Sequence, residues 1–367
     1  MNQRNIPDLI KNNKTMATKK NVPTKLSVYS VPNVTATRML EKNMNDGVIS
    51  YGSDNRYPDY LWNLYCDAPT QQAAIDFKQS CILGRSLGSH SKDVINTKGQ
   101  TITDVAKKAV FDYVLFGGMA FQVIYNALGE IAEVYWCSWA KLRTNYDGTK
   151  VWWCDDWKNG AADKVEYPLF NPDAENKTTQ ILYIKNSATR SVYPVPSYQS
   201  ALDAILTEVE VQHWHLNNIK NNFAGSFVIN MLGAIPDEDE RKEQEKKIQN
   251  KFCGSDSAGN ILINWAETAE EKIEVLPIED SQADKKFSRL AKDVMESIAV
   301  AHRLTSLCLI GKHPENGQGF SAIEFKSAFD IFNTTVIAPI QDEITDALKM
   351  VFPDKDIKIE PFEIPKE

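Results

Sequence analysis

Residues 321–352, SAIEFKSAFDIFNTTVIAPIQDEITDALKMVF, carry apolar side chains at Phe325, Phe329, Phe332, Val336, Ile340, Ile344 and Leu348. That spacing predicts one long amphipathic helix, and Pro339 inside it predicts a kink. Immediately upstream, Gly311 to Gly319 is a Gly/Pro/Asn loop, and before it Asp284 to Arg303 repeats the helical spacing with Phe287, Leu290, Ala291, Val294, Ile298 and Ala301. Further back, Pro194-Val195-Pro196-Ser197 leads into a helix from Tyr198 to about Phe223, marked by Leu202, Ile205, Leu206, Val209, Leu216 and Ile219. Between these two helices, Gly225 to Asp280 reads as a small α/β insert. It has a strand over Phe227–Leu232, a charged helix over Asp237–Phe252, and strands near Ile261–Trp265 and Ile273–Ile278. Long helix, α/β insert, long helix, Gly-rich loop, kinked helix is an unusual order, and it decides the fold.

The N-terminal half is mixed. Helices are expected near Tyr60, over Pro69–Leu83 and over Val105–Phe116, the last stopped by Gly117-Gly118. Strands follow at Ala120–Asn126, Ile131–Trp136, Leu142–Asn145, Val151–Cys154 and Gln180–Lys185, with Gly129 and Gly148 in the turns. The fold class is therefore α+β.

Composition excludes several functions. The 367 residues hold 43% hydrophobic and 25% charged residues, ordinary values for a globular chain. No stretch approaches the roughly 18 apolar residues of a membrane span. The polar, Lys/Asn-rich start lacks a secretory core, so a disordered arm over residues 1–26 and cytoplasmic synthesis are expected. Six scattered cysteines without a CxxC pair argue for free thiols, not disulfides, and for no metal or cofactor. A net charge of −8 disfavours a tight static grip on DNA phosphates, although an acidic wall suits a surface that DNA slides past.

Several stretches together resemble the compact portal, or head-to-tail connector, proteins of tailed phages. Asp54-Asn55-Arg56-Tyr57-Pro58 resembles that family's "nnxYP" element, and Phe116-Gly117-Gly118-Met119-Ala120-Phe121 resembles its "yGnaf" junction, with Gly118 where Asn is common. Tyr193-Pro194-Val195-Pro196-Ser197-Tyr198 is similar to the approach to the first stem helix, Asn221 to Ser226 to the element ending it, and Gly254 to Ile263 to a clip strand. Residues Ala299 to Gly311 resemble "iaxxfgvPpxllG" with Thr305-Ser306 in place of Pro-Pro, and Ile337-Ala338-Pro339-Ile340-Gln341 matches the mid-helix proline. The resemblance runs from about Ser53 to Phe352.

That resemblance implies a wing (27–197), stem helices (198–223 and 284–303), a clip (224–283), a tunnel loop (304–320) and a kinked helix returning to the wing (321–367). It implies a subunit of a dodecameric ring at a capsid vertex, assembled in the host cytoplasm. Double-stranded DNA would pass through it transiently, with the large terminase subunit, the major capsid protein and a head–tail adaptor as partners, and no membrane. Lys312, His313, Asn316 and Gln318 would be the tunnel-loop groups facing DNA, or part of a plain connector. Lys285, Lys286, Arg289 and Lys292 would line the channel, or form a solvated face. Asp237, Glu238, Asp239, Glu240 and Glu243 would dock a partner through the clip, or be another solvated face.

Other clusters point elsewhere only weakly. His213-Trp214-His215 cannot chelate one ion, because i and i+2 of a helix face different sides. Asp155-Asp156 among Trp152, Trp153 and Trp157 invites a glycan-site reading, but no second acid or base is spaced to complete it. No catalytic residue is expected. The alternatives to a portal are a monomeric helical adaptor or scaffold and an enzyme acting on glycans or nucleic acid.

Overall fold

The computed structural model describes residues 39–44, 47–158, 163–175, 177–186, 191–220, 227–233, 236–252, 261–266, 268, 283–312 and 322–362, all within one unit, Ala36–Glu367. Its elements are α1 (Tyr57–Asp67), α2 (Pro69–Leu83), α3 (Ile102–Phe116), β1 (Gly118–Tyr125), β2 (Ile131–Cys137), β3 (Leu142–Thr144), β4 (Lys150–Trp153), β5 (Val165–Pro168), β6 (Gln180–Lys185), α4 (Leu202–Lys220), β7 (Phe227–Leu232), α5 (Glu238–Phe252), β8 (Ile261–Ala266), α6 (Ala283–Ala301), α7 (Ala322–Phe332) and α8 (Ala338–Val351). The arm over residues 1–26 and the expected strand at Ile273–Ile278 lie outside the described residues.

Two antiparallel three-stranded sheets, ordered β2-β1-β6 and β3-β4-β5, form the β part. β5 is only four residues, mostly exposed, and escapes sequence reading; it is held by pairing Val165–Pro168 with Lys150–Trp153 of β4. Helix α3 buries Ile102, Val105, Ala106, Ala109, Val110 and Tyr113. It is capped by a reciprocal box in which the Thr101 hydroxyl accepts from Asp104 N–H and the Asp104 carboxylate accepts from Thr101 N–H. Its end is the left-handed Gly117, φ 84°.

The expected kink takes another form. α7 passes into α8 through a π turn, Asn333–Ile337, in which Ala338 N–H reaches back to the Asn333 carbonyl. Thr334 and Thr335 hydroxyls bond the carbonyls of Asp330 and Ile331 four residues back, which loosens the regular ladder. Pro339 lacks an N–H for the Thr335 carbonyl, and Arg303 donates to it at 3.4 Å. The wider turn absorbs the proline without ending the helix.

α8 and the tail pack on α2. Gln341 donates to the carbonyls of Cys81 and Ile82 at the end of α2, and Phe332 stacks on Phe77. Beyond α8, Ser86 and Glu360 form an antiparallel bridge. Gly84 permits it: at φ 61° a Cβ there would lie 2.1 Å from the Glu360 carbonyl oxygen. Gly84→Ala should therefore expel the tail and lower stability by several kcal/mol in denaturant unfolding. Gly148→Ala, at φ 63° in open space, should lose only about 1–2 kcal/mol.

Candidate functional site

One of the motif stretches, Asp54 to Pro58, meets a buried side chain, Arg143, 1% exposed on β3. Its Nε donates to Asn55 Oδ1 at 2.6 Å, one terminal nitrogen to the Asn55 carbonyl at 2.6 Å, and the other to the carbonyls of Ala140 and Leu142. The guanidinium plane lies over the rings of Trp157 at 4.9 Å and Tyr51 at 5.6 Å. Burial lowers its pKa, yet arginine stays protonated, so a planar fork of donors is satisfied by neutral acceptors. Asn55 holds the turn that presents those acceptors: it sits at φ 62°, a conformation asparagine tolerates, and its Oδ1 also accepts from Tyr51 N–H at 2.8 Å.

Tyrosines tie the second stretch to the first. Tyr193 stacks on Tyr51, ring centroids 4.1 Å apart; its hydroxyl donates to the Ile49 carbonyl at 2.5 Å and accepts from Thr144 N–H at 3.1 Å. Tyr51 donates to the Pro194 carbonyl, and Tyr57 to Gln199 Oε1. Tyr198 donates to the Leu115 carbonyl at 2.6 Å, at the end of α3. Burial drives the pKa values of Tyr51, Tyr57, Tyr193 and Tyr198 upward, so these phenols remain donors. The start of α4 is thereby fixed against the β part.

The Gly117-Gly118 junction packs just as closely. A Cβ on Gly118 would come within 2.6 Å of the Trp139 indole, so the asparagine of the related motif does not fit this chain. Trp139 is placed by Asp112, which accepts from Trp139 N–H at 2.8 Å and from Trp136 Nε1–H at 2.9 Å.

From this base the helix pair α4 and α6 extends outward. α4 buries Leu202, Ile205 and Val209, but from Glu210 to Leu216 no side chain is buried. α6 buries Val294, Ile298 and Ala299, whereas Ser288 to Asp293 are exposed. The outer parts still carry apolar groups: Trp214 is 41% exposed, Leu216 48% and Leu290 39%. His213, Trp214 and His215 all lie on this exposed part of α4. Between the helices, β7 and β8 pair in parallel, connected through α5, as a βαβ unit.

Of the basic stripe, Lys285, Lys286, Arg289 and Lys292 all fall on α6, where 285, 289 and 292 share one face by spacing. Arg289 and Lys292 are exposed, and Arg289 lies 3.8 Å from Asp293; the Lys285 and Lys286 side chains lie outside the described residues. In the acidic run, Asp237 caps α5 by accepting from Asp239 and Glu240 N–H. Glu238 and Glu243 pair with Lys242 and Lys247 at 3.0 and 2.7 Å, while Asp239 and Glu240 are exposed in the first turn. Ahead of the Gly-rich stretch, Cys308 and Leu309 are buried, Thr305 is bonded to the Ala328 carbonyl, and Ser306 caps the turn Leu307–Ile310. Lys312 is exposed; His313, Asn316 and Gln318 lie outside the described residues.

The Trp/Asp segment is a packing unit. Trp152 and Trp157 are buried with Val48 and Cys154, Asp155 pairs with Lys141, and Asp156 accepts from Lys158 N–H. Among the described residues no three His, Cys, Asp or Glu side chains are grouped to hold a metal ion. No described helix is long and apolar enough to cross a membrane.

No family model and no curated protein matches the chain. Solved structures do. A chain of the virion of a native gene transfer agent particle matches with a TM-score of 0.55 at 15% identity, covering 83% of this chain and 84% of its own. Chains in the neck of the empty particle, computed with C6 symmetry, and of the native particle, computed with C12 symmetry, match with TM-scores of 0.54 and 0.53 at 14% and 13% identity. Each comparison covers 84% of both chains. The mixed helix and sheet fold is thus one found in phage-like particles.

Burial pushes the Asp112 carboxyl up to about 7 from its ordinary 3.8. The folded state holds this proton more tightly than the unfolded one, so the group costs stability increasingly as pH rises from about 4 to about 7, at up to about 1.4 kcal/mol per unit. Asp112→Asn keeps both acceptor contacts and should gain on the wild type across that window, with the two matched near pH 4. Parallel pH profiles of the unfolding midpoint test this.

Proposed function

We propose that the chain is a structural component of the head–neck region of a phage-like particle. Within that class, the best-supported reading is a portal subunit: copies form a ring at one capsid vertex, and double-stranded DNA passes through during packaging and ejection. The observation that carries it is the outward helix pair, whose Trp214, Leu216 and Leu290 remain exposed in the single chain. A helix pair that buries only its base and keeps apolar groups farther out is suited to lie against copies of itself. The fold likeness to chains in virion and neck structures, one of them computed with C12 symmetry, supports a twelvefold ring. The large terminase, the major capsid protein and a head–tail adaptor are the partners this reading calls for, and the virion is the place.

Roles follow for the charged groups. Arg289 and Lys292, with Lys285 and Lys286 on the same helix, meet passing phosphates transiently along the channel. Lys312 and the loop after it narrow that channel. The α5 unit, acidic in its first turn, docks the motor and later the adaptor. A structural and non-catalytic role is supported by the Trp152–Trp157 segment, whose indoles are spent on packing and whose Asp155 is paired.

Purified protein should form rings by mass photometry and negative-stain electron microscopy; a monomer at high concentration would point to a helical adaptor. Deleting residues 312–319 should spare the ring but impair DNA retention, and unaltered packaging rejects the loop's role. Charge reversal at Asp239, Glu240 and Glu243 should weaken terminase binding while leaving the fold unchanged by circular dichroism, a result that wild-type affinity would contradict.

A further inference from the structure

α2 begins without a cap of its own. Its N-cap is Ala68, which supplies no side-chain acceptor, so the first N–H groups of the helix need partners from elsewhere. The partner comes from 138 residues away: Glu208 Oε1, on α4, accepts from Thr70 N–H at 3.2 Å and from the Thr70 hydroxyl at 2.5 Å, and Gln71 N–H also turns to this carboxylate. The next residue, Gln71, is fully buried and holds the other long helix: its Oε1 lies 2.8 Å from Nε2 of His302, just past the end of α6. His302 stacks on Tyr198 at 4.9 Å, ahead of α4. Burial, with Lys78 nearby, keeps His302 neutral, and since Gln71 Oε1 can only accept, the tautomer that fits this contact carries its hydrogen on Nε2 and donates it.

Position gives these contacts their meaning. Glu208 sits beside Val209, the last buried residue along the described side chains of α4, and His302 follows the last turn of α6. α6 ends with Leu304 N–H bonded to the Ala299 carbonyl and Arg303 N–H to the Val300 carbonyl, Arg303 itself at φ 58°. That closed ending leaves His302 little freedom to move. Two adjacent residues of one turn thus grip both long helices, α4 at its last buried turn and α6 just past its inner end.

We infer that Thr70-Gln71, the first turn of α2, is the pivot that sets the tilt of the α4/α6 helix pair, with Glu208 and His302 as its two positioning residues. The contacts themselves do not depend on the portal reading. Their consequence does: in a ring, the tilt of each helix pair relative to its own body fixes the rotation between neighbours, and so the number of copies that close it.

The test measures tilt directly. Spin labels placed at Gln212 and Asp67 through non-natural residues report the distance from helix pair to body by double electron–electron resonance. Glu208→Ala should broaden that distribution and speed exchange of the Thr70 and Gln71 amides about fivefold, the equivalent of a lost N-cap. Glu208→Gln, which keeps an acceptor oxygen, should restore the narrow distribution. His302→Phe, which keeps the stack on Tyr198 but not the bond to Gln71, should broaden it again. A distribution as narrow as wild type in both Glu208→Ala and His302→Phe overturns the pivot. If Glu208→Ala fails to fold, Thr70→Val removes the hydroxyl donor at the same contact and is judged by the same distances. Mass photometry separates the two readings: mixed ring sizes in Glu208→Ala support the consequence, whereas broadened distributions in the variants of a chain whose wild type never forms rings leave the pivot standing and remove the portal.

Discussion

The Arg143 guanidinium is the constraint on which the rest of the body depends. A buried cation is costly unless its donors are met, and here they are met only if the Asn55 turn, the Ala140–Leu142 segment and β3 arrive together. None of those acceptors is a side-chain anion, so the geometry is set by carbonyl directions and not by a mobile carboxylate. The Tyr51–Tyr193 stack then carries the same registration to Pro194, and Tyr198 hands it to the end of α3. The start of α4 is placed on the body by a chain of contacts that begins at one side chain.

Beyond that base the energetics change character. Inside, α4 and α6 bury Ile205 and Ile298 completely. Outside, Trp214 and Leu216 face water at a cost of about 25 cal/mol per Å² of apolar area. An isolated chain has no compensation for that exposure. A partner helix of the same kind would compensate it, and the proposed self-association rests on that exposed outer segment more than on the helix order.

Much of this was legible in the residues, and the failures have physical causes. Pro69 and Gly84 bracket α2 so sharply that its expected bounds coincide with those observed. The motif stretches were visible one by one, but nothing in their spacing announced that Asn55, Tyr193 and Arg143 meet; Arg143 stands inside a short strand and bears no local signal of burial. β5 was missed because Val165-Glu166-Tyr167-Pro168 is short and mostly exposed and owes its place to β4. Cys308 and Leu309 are core residues just ahead of the Gly-rich stretch. The trans-cap at Thr70 was invisible: Ala68 signals the lack of a cap, never its remote supplier.

The proline of the last helix shows how such remote suppliers work in general. Read locally, Pro339 deletes one hydrogen bond and opposes one carbonyl, and a kink is the natural forecast. In the fold, the freed Thr335 carbonyl meets Arg303, the residue that closes α6 in a left-handed conformation. The interruption in one helix and the termination of another are therefore answered by a single residue, one through its side chain and the other through its backbone. A sequence reading treats these as two punctuation marks 36 residues apart. The structure makes them one contact.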